Sequence, residues 1–294
     1  MKYLSFLVAL TFLASCTADE KPAQEKDSGV PEQPKIDTIE SIDTTSIAEV
    51  EPEPEVELTC DCRLRQYERH HGAQVTFQRS LGERNDERFQ KWSADSLIGT
   101  IKSIRFNGFD TIPERYKVFK NVEKLSIDTR NGIYGMDMFP KLKVVDFFGA
   151  VVDLNTEEKW PEKVEAILAA KSILNNVPFE RLTNLRVLYM GHSRMMPTPN
   201  DVHHLKCLHE MVLGAYSGRD ADLTKMDFSS NPCLQKLHLQ TWGKSMTGVP
   251  TGLEKTNIVN LMISHPQLSD EEKEQVKTIK EDLKAKREVK KDEN

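Results

Sequence analysis

Apolar residues recur along the chain in one triplet pattern, apolar-x-x-apolar-x-apolar. It appears as Ile101/Ile104/Phe106, Val122/Leu125/Ile127, Leu142/Val145/Phe147 and Val164/Ile167/Ala169. It continues as Leu185/Leu188/Met190, Leu208/Met211/Leu213, Leu234/Leu237/Leu239 and Ile258/Leu261/Ile263. Successive triplets start 21, 20, 22, 21, 23, 26 and 24 residues apart. In a chain that is 38% hydrophobic, so many matches arise by chance only about once in ten billion trials before allowing for choice of register, so the period is a structural repeat. Each triplet predicts a short strand, and the interval to the next leaves room for a return segment. A unit this small cannot bury its apolar side alone, whereas a stack of them shares one continuous core.

The triplet and its period resemble the leucine-rich-repeat family, over residues 101 to 265. Phe139-Pro140-Lys141-Leu142, Phe179-Glu180-Arg181-Leu182 and Val202-His203-His204-Leu205 precede strands as that family's convex-side segments do. The resemblance implies an α/β leucine-rich-repeat solenoid: a horseshoe arc of about eight divergent repeats over residues 99–266, with a parallel sheet on its concave face and helical caps. The family's ninth position usually holds Asn. Here it holds Phe109, Arg130, Ala150, Ser172, Ser193, Tyr216, Trp242 and Pro266, so the turns must find other hydrogen-bond partners.

Residues 60–98 are expected to cap the first repeat, with helices over Cys62 to His71 and Glu83 to Ser96; Phe89 and Trp92 share one face of the second. Residues 267–294 are expected to form a charged capping helix and tail. Ser269-Asp270-Glu271-Glu272 is a capping-box signature, and Val276, Ile279 and Leu283 fall on one side of the helix it opens.

Alternation along a strand assigns the fourth and sixth repeat positions to the core and the third, fifth and seventh to the concave face. The end rows of that face are mostly polar, with Arg105 toward one rim and His238 toward the other. The middle rows are mostly apolar, and a solvated sheet face is normally polar. The expected partner-binding residues are Val144, Asp146, Phe148, Leu168, Val187, Tyr189, Glu210, Val212 and His238. Tyr189 and Phe148 are the expected anchors, and Asp146 and Glu210 would orient the partner. The competing expectation is that the irregular stretch 214–233, with Met226 and Phe228, covers this patch.

The N-terminus bears on location. Lys2 is followed by an uncharged run, Tyr3 to Leu13, then Leu13-Ala14-Ser15-Cys16. That run is too short to span a bilayer and suits a secretory signal. Its end resembles the lipobox of bacterial lipoproteins, which implies lipidation at Cys16; the alternative is an ordinary signal peptide. Residues 1–16 are therefore expected to be the signal. Residues 17–59 hold thirteen acidic residues, three lysines and five prolines, with no aromatic, and are expected to form a disordered tether. The expected location is the bacterial cell envelope, lipid-anchored to the outer membrane and exposed at the surface if Asp19 and Glu20 act as an export signal. With the chain at −6 overall, removing that acidic stretch and the signal with its Lys2 leaves about +3 on residues 60–294. No basic stripe with interleaved aromatics appears, which gives nucleic-acid binding no support.

Beyond Cys16 the cysteines are Cys60, Cys62, Cys207 and Cys233. Cys207 and Cys233 each precede a first repeat leucine, so they should stack on adjacent turns and can form a disulfide. The histidines at 70, 71, 203, 204 and 209 lack zinc-site spacing, and no metal or other cofactor is expected. Hydrolase and P-loop motifs are missing, so an enzyme is not expected. The expected function is capture of a protein partner. A structural scaffold in the envelope is one alternative. Carbohydrate binding, with Trp160 and Trp242 as stacking platforms, is another.

Overall fold

The computed structural model describes residues 60–62, 73–129, 134–153, 160–161, 163–193, 199–215, 221–241 and 246–292. The expected signal, tether and most of the helix over Cys62 to His71 lie outside them.

Among the described residues nine strands form one open sheet, every neighbouring pair parallel and in chain order. They are β1 (Ala73–Gln78), β2 (Ile101–Asn107), β3 (Lys124–Asp128), β4 (Val144–Phe148), β5 (Ala166–Ala170), β6 (Val187–Ser193), β7 (Glu210–Ala215), β8 (Lys236–Thr241) and β9 (Asn260–Ser264). The fourth and sixth positions of each triplet lie on a strand from β2 to β9, the first position just before it in all but β2, and the register aligns them: Ile104, Leu125, Val145 and Ile167 in one lateral row, Phe106, Ile127, Phe147 and Ala169 in the next. These rows are buried. The return segments add a second wall of buried apolar residues, among them Phe119, Phe139, Phe179, Leu205 and Leu253, mostly carried on single 3-10 turns.

The turns after the strands close through the backbone. Gly108 N–H donates to Asp128 O (2.7 Å), Gly149 N–H to Ala170 O (3.1 Å) and Lys171 N–H to Gly191 O (2.9 Å). Two minor ladders, Val151–Asp153 with Ile173–Asn175 and Ala221–Asp222 with Met246–Thr247, continue the stacking beyond the turns. At the ninth position Ser172 does part of an asparagine's work: its Oγ donates toward Phe147 O (2.8 Å) and accepts from Ala150 N–H (3.2 Å).

The N-terminal region differs from the helical expectation in two ways. Strand β1 lies within it, with Val75 beside Ile104 and Phe77 beside Phe106, so it extends the core rows by one strand. The single helix expected over Glu83 to Ser96 is two, α1 (Glu83–Ser93) and α2 (Asp95–Ile98), because Ala94 turns extended at φ −58°, ψ 139°. Helix α1 seals the sheet edge. Asn85 exchanges hydrogen bonds with Gln78 N–H (3.1 Å) and Gln78 O (2.5 Å), and Arg88 donates to Thr76 O (2.9 Å). Edge groups that would otherwise template a foreign strand are thereby occupied.

A six-residue helix, α3 (Pro199–His204), carries one return segment. At the far end, α4 (Asp270–Asp292) packs Val276, Ile279 and Leu283 on the last repeat. Its capping box is formed: Ser269 Oγ accepts from Glu272 N–H (3.1 Å) and Glu272 accepts from Ser269 N–H (2.7 Å). Lys286 Nζ donates to Glu254 O (2.9 Å) and Thr256 O (3.2 Å), which fixes the helix across the return segment before β9.

The disulfide expectation is corrected. Cys207 and Cys233 do not pair with each other; the bonds are Cys60–Cys207 and Cys62–Cys233, with Cα separations of 5.2 and 4.9 Å. Residues 60–62 form a strap across the rim where β6, β7 and β8 begin. Arg186 donates to Asp61 O (2.7 Å) and Gln235 donates to Cys62 O (3.1 Å), so the strap's backbone groups are held on both sides of the bonds. Two cysteines one residue apart suit two acceptors one strand apart, since both spacings are about 5–7 Å.

Candidate functional site

The sheet's outer face is built from the third, fifth and seventh repeat positions. At the fifth, the register sets Asp146, Leu168, Tyr189, Val212, His238 and Met262 side by side across β4 to β9. At the seventh it sets Phe148 beside Ala170, and Gly191 beside Gly214. Phe148 is 48% exposed, Tyr189 40% and Met262 41%; Leu168, Val187 and Val212 are half-buried. The centre of the face is thus an apolar strip crossing several strands, its two large rings reachable by solvent.

Tyr189 is placed by a missing side chain. A Cβ at Gly191 would lie 2.8 Å from its Cε1 and 2.9 Å from its hydroxyl oxygen. The ring therefore lies along its own strand, over Gly191, and any larger residue there would displace it.

Three expected site residues change role. Val144 is only 4% exposed. Lys124, beside it in register, reaches diagonally to Asp146 on the same strand as Val144. Asp146 is itself paired, to Lys124 at 3.1 Å. Glu210 is paired likewise, to Lys236 at 3.2 Å. Neither carboxylate stands ready to orient a partner. The two ion pairs instead flank the strip, one on its β3–β4 side and one on its β7–β8 side. His238 Nε2 shares a 2.8 Å hydrogen bond with Asn260 Oδ1, which fixes its ring toward β9.

The proposed self-cover is not what the described part of 214–233 does. Met226 and Phe228 point into the core and are buried there. Trp160 is buried too and offers no stacking platform. Trp242, His70 and His71 fall outside the described residues. Among the described residues, no group of three His, Cys, Asp or Glu side chains converges as a metal site.

Beside the strip, His209 lies under the strap, 2% exposed, with Nε2 buried and unpartnered. Burial, aided by the Arg186 guanidinium, holds its pKa below the ordinary imidazole value; contact with Asp61 opposes this. No sequence pattern points to this arrangement, because nothing periodic places residue 61 over residue 209.

A period of 20 to 26 residues, one parallel strand per period in unbroken chain order, and a wall of 3-10 turns behind the sheet settle the architecture. The fold is a leucine-rich-repeat solenoid. No family profile matches the chain, and no curated protein matches its sequence. Solved structures do match. Internalin C2 of Listeria monocytogenes is 18% identical with a TM-score of 0.34, over 52% of this chain and 76% of that one. A leucine-rich-repeat protein of Leptospira interrogans is 18% identical with a TM-score of 0.36, over 63% of this chain and 60% of that one. The solenoid rests on its own period and register, and nothing about function is drawn from these likenesses.

Proposed function

We propose that this protein is a non-catalytic binding module that captures a protein partner on the outer sheet face of its solenoid, held to the bacterial envelope by a lipid on Cys16. One observation carries the reading: Tyr189 and Phe148 stand exposed in an apolar strip where an open sheet face is normally polar. The flanking ion pairs add to it. Lys124–Asp146 and Glu210–Lys236 neutralise their own charge, so they border the strip without competing for an apolar partner. Aromatic side chains on a rigid scaffold make strong interface anchors because little conformational freedom is lost on docking. The lipid anchor is supported by Leu13-Ala14-Ser15-Cys16 after a short apolar run, and the acidic stretch behind it suits a spacer.

The test compares residues 60–294 with the double variant Leu168→Asp and Tyr189→Asp as bait in envelope extracts. The wild-type domain is expected to retain a partner that the variant loses, with the circular dichroism spectra of the two superimposing. Equal retention by both would remove the site assignment, and a variant that unfolds would mark the strip as core. For the anchor, full-length protein is expected to incorporate labelled palmitate and Cys16→Ala is not; label on both would place the lipid elsewhere.

A further inference from the structure

The four strap cysteines form a two-by-two array, and that array has a second way to pair. Lys236 lies beside Glu210 in the parallel register, and Gln235 N–H donates to His209 O. Carried three residues back from the register pair, the same alignment sets Cys233 beside Cys207, about 4.8 Å apart, one strand spacing. That is within the Cα range a disulfide accepts. Cys207 is 4% exposed and Cys233 fully buried, while Cys60 and Cys62, on the strap, are half-buried.

We propose that this array is a thiol–disulfide exchange site whose reactant is a dithiol, and that one dithiol releases the whole strap. A thiolate of the reactant attacks Cys60 Sγ, the more accessible sulfur of its bond. The Cys60–Cys207 bond breaks, a mixed disulfide forms on Cys60, and Cys207 leaves as a thiolate. Cys207 Sγ then attacks Cys233 Sγ beside it. The Cys62–Cys233 bond breaks, a Cys207–Cys233 bond forms between adjacent repeats, and Cys62 leaves as a thiolate. The second thiol of the reactant attacks its own mixed-disulfide sulfur and frees Cys60. One dithiol has become one disulfide, two protein disulfides have become one, and the reactant's two protons end on Cys60 and Cys62. The inner pair acts as a relay: both buried sulfurs are bonded before and after the exchange, Cys207 is free only between its two steps, and only the strap is let go. Release uncovers His209, Arg186 and Gln235, the residues the strap contacts, each next in sequence to an outer-face residue: Glu210, Val187 and Lys236.

The test titrates the oxidised protein with less than one equivalent of dithiothreitol, traps thiols by alkylation and maps the disulfides by mass spectrometry. The expected species carries alkylated Cys60 and Cys62 together with a Cys207–Cys233 linkage. Species with Cys207 or Cys233 alkylated and no such linkage would overturn the relay. The variant Cys60→Ser with Cys62→Ser gives a second readout. Purified in air and folded, it is expected to show no free thiol at Cys207 or Cys233; two free thiols there would defeat the proposal as well.

Discussion

The residue just past a strand must turn the chain sharply, and among the described residues three repeats solve this with a left-handed backbone. Gly108 and Gly149 adopt φ of 74° and 67°, and Lys171 takes the same place at φ 56°. A side chain in this region costs about 1 kcal/mol. At Gly149 a Cβ would meet nothing within 4 Å, so strain is the only term. Gly149→Ala should therefore lower stability by about 1 kcal/mol. Lys171→Gly should raise it by about 0.5 kcal/mol, because relieved strain exceeds the added freedom of glycine in the unfolded chain. Urea midpoints of both variants measure this, and a loss for Lys171→Gly as large as that for Gly149→Ala would reject the account. The core positions of the repeat were legible because each needs only to be apolar. Tyr189 was legible as exposed, but its posture over Gly191 was not, since it depends on a rotamer that no period encodes. The ion pairs of Asp146 and Glu210 were missed for a related reason: they run between strands, and only the register names their partners.

At the scale of elements, the eight periodic strands were readable and β1 was not. Ala73-Gln74-Val75-Thr76-Phe77-Gln78 alternates as a strand should, but two helices separate it from Ile101 and break the period. The strap was unreadable in kind. Its bonds join residues 147 and 171 apart, and adjacency of Cys207 and Cys233 made the wrong pair look sufficient. The strap also makes a pH prediction. Burial under it and the Arg186 charge depress the pKa of His209 in the folded state. An unfolded chain holds its imidazole near the ordinary value of about 6.5. Between that value and the lower folded one, the unfolded state binds more protons, so stability is fully present above the unfolded pKa and falls as pH drops through this window. Comparing thermal midpoints at pH 7.5 and pH 5 should show a larger fall for wild type than for His209→Gln. Parallel falls in the two proteins would mean that His209 already takes up its proton without opening the strap.

For the molecule as a whole, a solenoid has a weakness that a globular core lacks: each repeat touches only its neighbours, so the ends open independently of the middle. The chain answers at three places. Helix α1 occupies the β1 edge, α4 covers the last repeat, and the strap ties residues 60 and 62 to the β7 and β8 repeats. The strap's effect acts through the unfolded state. Closing a loop of 147 residues removes enough chain entropy to be worth about 5 kcal/mol. The second bond closes only the short circuit left between the strap and two adjacent repeats, about 30 residues, and adds roughly 3.5 kcal/mol by the same relation. Replacing Cys60, Cys62, Cys207 and Cys233 together by Ala removes both bonds and any rearranged one, without placing a hydroxyl in the core. This quadruple variant should lose 5 kcal/mol or more by that estimate. It should also unfold in two steps, the repeats beyond β6 opening first, because nothing then links them to the N-terminal cap except their neighbours. Urea unfolding followed at Trp92, packed in that cap, and by hydrogen exchange in β7 to β9 separates the two steps. Coincident transitions at the wild-type midpoint would show that the neighbour contacts alone hold the array, and that the strap contributes no global stability.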